Sequence, residues 1–125
     1  MEPRATSEVI RLFNQAFREH DPAIFEDLVA PHCVMESIQP APNGTRYEGY
    51  DINLAFWQAM AADRVNRFEV EDIVVMGDRA NILWRFHFGD GGSLRGVSLI
   101  RVRDGRIVEA LAYAKTPAEL APLPE

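Results

Sequence analysis

The feature that most constrains this chain is a change of hydrophobic period at Asp63. Before it, apolar residues recur at helical spacing; after it, they alternate every second residue. Helices followed by a run of consecutive strands imply an α+β domain, in which the helices must cover one face of the sheet.

Ahead of the switch, Thr6 or Ser7 precedes Val9, Leu12, Phe13, Ala16 and Phe17, one face of a first amphipathic helix. Asp21-Pro22 pairs an N-cap carboxylate with proline at the first helical position, which predicts a short second helix over 21–28, with Pro31 as its stop. A strand is expected over 33–39, then an irregular loop at Pro40-Ala41-Pro42-Asn43-Gly44. A third helix over 50–62 carries Ile52, Phe56, Ala59 and Met60, with Trp57 beside them. After the switch come strands over 67–76, 80–88, 93–103 and 106–114, punctuated by Gly77-Asp78, Asp90-Gly91-Gly92 and Asp104-Gly105. The last of these is a two-residue hairpin signal between Arg103 and Arg106.

No linker or repeat divides the chain, so one domain is expected over 1–125, with a core from about 6 to 115 and a tail over 116–125. With 13 Lys plus Arg against 19 Asp plus Glu, the net charge is −6, and the arginines lie scattered among acids; nucleic acid is not an expected partner. Nor is a membrane, because the longest apolar run is Ala110-Leu111-Ala112-Tyr113-Ala114. A start that places acids before any apolar stretch, together with the single Cys33, points to a cytoplasmic location.

The 80–88 strand separates into Ile82, Trp84, Phe86 and Phe88 on one face and Asn81, Leu83, Arg85 and His87 on the other. Two assignments remain open. The aromatic face is core with Arg85 and His87 in water, or one face meets a partner and the other lines a cavity. A one-residue slip exchanges the two faces. On the last strand, Ala110, Ala112 and Ala114 form a row of small side chains that either permits close helix packing or leaves volume for a ligand.

The order of elements, with Phe17-Arg18-Glu19-His20-Asp21-Pro22, Leu28 to Glu36, Tyr47-Glu48-Gly49-Tyr50-Asp51 leading into Phe56-Trp57, and Arg101 to Glu109, resembles the nuclear-transport-factor-2-like superfamily and its SnoaL-like members. The resemblance covers residues 6 to 115. It implies a cystatin-like cone, three N-terminal helices packed on a strongly curved, mostly antiparallel sheet, with a pocket inside and a homodimer across the outer face. It leaves activity open, because such folds house ketosteroid isomerases, epoxide hydrolases, polyketide cyclases and plain binding proteins. By position, the isomerases' general base falls on Ser37 and their oxyanion donors on Phe13 and Ser98. The epoxide hydrolases' arginine falls on Arg85 and their acids on His87 and Ala112.

Two readings follow. In the first, the protein is a metal-free, cofactor-free isomerase, cyclase or hydrolase on a small hydrophobic substrate. His87 is its acid/base, Arg85 stabilises developing negative charge, and Ser37 and Ser98 orient substrate or water. Phe13, Phe17, Met35, Trp57, Met60, Leu83, Ile100 and Ala112 would form the wall. In the second, Arg85 and His87 lie at the mouth of the cone, solvated or paired with acids such as Glu69 or Glu71 on the neighbouring strand, and the protein is a non-catalytic binder of hydrophobic ligands that has lost the catalytic carboxylates. Either way a homodimer is expected through Ile82, Trp84, Phe86, Phe88, Leu99 and Leu111, a patch too apolar to leave in water. His20 reads as a structural residue; Tyr47 and Tyr50 flank the loop over the pocket, either as packing residues or as hydrogen-bond donors to a ligand. His32 adjoins Cys33 but precedes the expected strand, so the two side chains point to opposite faces and cannot share a metal.

Overall fold

A computed structural model describes residues 3–115; the expected tail over 116–125 lies outside them. Helix α1 (Thr6–Arg18) buries Val9, Ile10, Phe13 and Ala16. A 3-10 helix (Pro22–Asp27) follows, its Phe25 fully enclosed. Then come β1 (Val29–Glu36), β2 (Arg46–Glu48), α2 (Tyr50–Ala62), β3 (Arg67–Met76), β4 (Arg79–His87), β5 (Ser93–Arg103) and β6 (Arg106–Ala114). The six strands form one sheet in the order β2-β1-β6-β5-β4-β3, antiparallel except where β1 lies parallel to β6. No described helix is long and apolar enough to cross a membrane.

The second helix expected from the sequence is thus a 3-10 turn, and it ends before Pro31 rather than because of it. Strand β1 starts earlier than the expected 33–39. Pro31 is accommodated because β1 and β6 lose register between Val29 and Val34, where Pro31 and His32 stand exposed and the missing N–H breaks no ladder bond. The short edge strand β2 carries no periodic signal and falls where the sequence predicts no strand. The four later strands agree with the alternation to within a residue. Asp104 and Gly105 adopt positive φ (53° and 74°) in the tight turn expected between Arg103 and Arg106.

The buried side of α2 differs from its apparent apolar stripe. Asn53, Trp57 and Ala61 face inward, while Ile52 is exposed. Fully buried Asn53 donates through Nδ2 to the carbonyls of Cys33, Tyr47 and Gly49, which fastens the start of α2 to β1 and β2. That polar anchor rotates the helix away from its most hydrophobic face.

The inner face of the sheet packs on the two α-helices. Val9, Ile10, Leu28, Val29, Val102 and Ile107 close one end of the core with almost no exposure. Phe13 meets Phe17, Phe25 and Trp57 edge-on at 5.1, 5.6 and 5.2 Å, a geometry that adds to the burial of these large rings. From Phe17 the chain of rings runs on to Phe68, Phe86 and Phe88 at the other end of the sheet. There the helices do not fill the space beneath the strands.

Candidate functional site

The space they leave is a cavity of about 710 Å³, within the range of small-molecule sites. Phe13 and Phe17 of α1, Trp57 and Met60 of α2, and Met35, Ile100 and Ala112 of the sheet line it, at the positions expected to form a wall. Leu83 does not. It stands 36% exposed on the opposite face of β4. The row of small side chains on β6 is spent on volume, since Ala110 and Ala112 both face the cavity.

Arg85 and His87 share the outward face with Leu83, so the expected placement of these two side chains inside the pocket is overturned. The lining of β4 is instead Ile82, Trp84 and Phe86, continued by Phe88, four residues expected on an external dimer face. Leu99 and Leu111 are the members of that patch that do lie outside, opposite one another on β5 and β6. The neighbouring strand explains the inversion. Strand β3 carries an irregularity between Val70 and Asp72. On its outer side, Glu69 Oε1 lies 2.8 Å from His87 Nε2, and Glu71 contacts Arg95 at 2.9 Å and Arg85 at 3.8 Å. The directly opposed Arg85 and Arg95 are thus bridged by one carboxylate. On its inner side, β3 presents Phe68 against Phe86 and Val70 against Trp84. The hydrogen bond from His87, aided by its charge and those of Arg67 and Arg85, holds the Glu69 carboxyl below the usual range.

Ser37 and Ser98 both reach the cavity, yet they are chemically unlike. The Ser37 hydroxyl donates to the carbonyl of Gln39 (2.9 Å) and accepts from the amide of Thr45 (3.3 Å), so its proton is committed to the loop. This removes Ser37 from the expected role of orienting a substrate. Ser98 Oγ accepts from Trp84 Nε1 at 3.0 Å and keeps its own O–H for another acceptor. The pair depends on Gly96, across from Trp84 on β5: a Cβ there would sit 2.5 Å from the indole and would also strike the Tyr113 carbonyl. Glycine lets the indole lie over the strand and reach Ser98.

The cavity wall also includes Phe68 and Phe56, which the sequence reading does not single out as lining residues, and Tyr47, expected beside the loop over the pocket. The signal for Phe68 is its place as the alternation partner of Val70 on β3. Tyr47 and Phe56 meet at 5.1 Å, whereas the Tyr50 hydroxyl donates to the Glu26 carbonyl and is structural. The ring of His20 contacts the Ala61 carbonyl at 2.9 Å and ties the end of α1 to α2. Burial, with the charge of Glu109, pushes the Cys33 thiol up to about 12, which leaves it protonated and unreactive at neutral pH.

The profile of the SnoaL-like domain family matches residues 9–110. The chain belongs to this family. Among solved structures, this SnoaL-like chain is similar to an NTF2-like protein of unknown function from Mesorhizobium loti. The two share 48% identity and a TM-score of 0.86 over 89% of this chain and 91% of that one. A Kribbella flavida protein named provisionally as a ketosteroid isomerase shares 21% identity at a TM-score of 0.78 (94% and 82% covered). A Pseudomonas putida protein named provisionally as a polyketide cyclase shares 23% at 0.68 (88% and 91% covered). These last two likenesses speak for the fold alone. No curated protein matches the SnoaL-like chain.

Proposed function

We propose that this SnoaL-like protein binds a small hydrophobic molecule carrying an acceptor oxygen, and that it returns the molecule chemically unchanged. The observation that carries the reading is the Ser98 hydroxyl, fixed by the Trp84 indole in a mainly apolar wall with its proton free to be donated. General acid/base catalysis needs a group that exchanges protons within reach of the ligand. Among the described lining residues there is no histidine, the carboxylate of Glu69 is exposed and bonded to His87, and the Tyr47 phenol is a donor with no further carboxylate or imidazole in the wall to act as base. A second reading, a cofactor-free isomerase, cyclase or hydrolase, draws on the same donor, because a fixed hydroxyl also stabilises a developing oxyanion.

Both tryptophans of the chain line the cavity, so ligand entry is readable from intrinsic fluorescence. Titration with 2-decanone should give a saturable change, and Ser98→Ala should weaken binding about five- to tenfold, the loss of one hydrogen bond. Mass spectrometry should recover the ketone unaltered. Absence of saturation would sink the binding reading, and recovery of a transformed product would favour the catalytic one.

The outer face supports a proposal about assembly. Leu83, Val97, Leu99, Leu111 and Tyr113 form an apolar patch there, Tyr113 being 55% exposed, flanked by the Arg and Glu side chains that β3 and β4 exchange. A second copy of the chain is the partner we infer for it.

A further inference from the structure

The edge of the cavity is charged in the sense opposite to the protein. In a chain of net charge −6, the exposed residues that line the cavity include Arg18 and Arg67 against the one acid, Glu69. Neither guanidinium enters an ion pair among the described residues, although the other lining charge, Glu69, is taken up by His87 on the outer face. The rings of Phe17 and Phe68 meet at 5.2 Å, which brings the end of α1 to the start of β3, and their chain neighbours Arg18 and Arg67 both border the cavity.

One turn before Arg18, on the same side of α1, stands Asn14. Its amide nitrogen is buried at the cavity wall and donates to nothing among the described residues. A buried donor left unpaired costs free energy comparable to a lost hydrogen bond, so such a group marks a place where an acceptor belongs. Asn14 Nδ2, the Ser98 O–H and the guanidinium groups of Arg18 and Arg67 are therefore all donors or cations with capacity to spare.

Resting on the binding reading above, we propose that the ligand is an amphipathic carboxylic acid bound as its anion. Its apolar body fills the aromatic cavity, and its carboxylate sits at the α1–β3 edge, where it accepts from Asn14 and is neutralised by Arg18 and Arg67. Guanidinium and amide donors at the border of a low-dielectric space suit a carboxylate better than an uncharged oxygen, because charge-assisted hydrogen bonds are roughly twice as strong as neutral ones.

The test compares decanoate with decan-1-ol, which share a body and differ in the head, by titration of tryptophan fluorescence at pH 8. The protein should bind decanoate about tenfold more tightly than the alcohol at low salt. Arg18→Gln and Asn14→Leu should each bring that ratio towards one. Arg11→Gln, on a residue paired with Glu8 and absent from the cavity wall, should leave it where it was. Raising the salt should narrow the ratio in the unaltered protein. If decan-1-ol binds as tightly as decanoate, the carboxylate assignment is overturned while the binding reading stands. If neither probe gives a saturable signal, both fall. A ratio that survives Arg18→Gln and Asn14→Leu together would place the head elsewhere and overturn the site.

Discussion

The two faces of β4 use the same backbone for opposite purposes. Inward, Ile82, Trp84 and Phe86 meet Phe68 and Val70 of β3 and leave a cavity; outward, Leu83, Arg85 and His87 meet Glu69 and Glu71. The inner face is held by ring packing and one fixed hydrogen bond, and little water reaches Trp84 or Ile82. The outer face is held by exposed ion pairs, which contribute little to folding and leave apolar side chains between them. The difference teaches that an Arg/His pair on a strand is not by itself a functional signal, because acids on the adjacent strand can hold it on the face away from the cavity. Here β3 offers two.

The comparison breaks most sharply at Gly96. Gly96→Ala should push the Trp84 indole off the strand and cost about 3 kcal/mol, a fall in the melting midpoint of roughly 10 °C. Ketone affinity should fall with it, because the Ser98 hydroxyl loses its fixed partner. A variant with unchanged midpoint and affinity would show that the indole does not depend on this glycine.

On the other face, Leu99→Asp leaves the cavity alone and places a charge in the apolar patch. Sedimentation should show the proposed dimer weakened about thirtyfold, corresponding to roughly 2 kcal/mol of lost burial summed over the two copies of a side chain that is already part-buried in one chain. A wild-type protein that sediments as a monomer at all accessible concentrations would remove the dimer.

The smallest effect is expected at the outward ion pair. His87→Ala should leave ketone binding within twofold of the unaltered protein, since the imidazole faces away from the cavity. A loss of tenfold or more would return His87 to the site. The pair should show itself in acid instead. The folded-state pKa of Glu69 lies below its ordinary value of 4.5, so its contribution to stability is full above that value and disappears as the pH falls through the lowered one. A plot of midpoint against pH should lose part of its slope below about pH 4.5 in Glu69→Gln; identical slopes would show the contact to be without thermodynamic weight.

Much of the fold is legible in the sequence because it rests on period and punctuation. The switch at Asp63, the Asp-Gly turn at 104–105 and the stripe from Val9 to Phe17 each depend on near neighbours in the chain. The misplaced parts depend on distant ones. Strand β1 tolerates Pro31 through a register break with β6, and α2 turns its Asn53 inward because three carbonyls, of Cys33, Tyr47 and Gly49, await it. Within the site, Ser37 and Ser98 look alike as residues. The first spends its proton within its own loop, and the second is freed by an indole from the next strand.

What the sequence determined alone is a helical half followed by a meander, and with it two chemically distinct rows on β4. Alternation assigns residues to faces without saying which face is dry. The tertiary structure decided that, because inside and outside are set by what packs above each row. Phe17 and Phe68 close over the aromatic row, and Glu69 and Glu71 claim the charged one, so hydrophobic burial and ion pairing assign the same strand in the same sense.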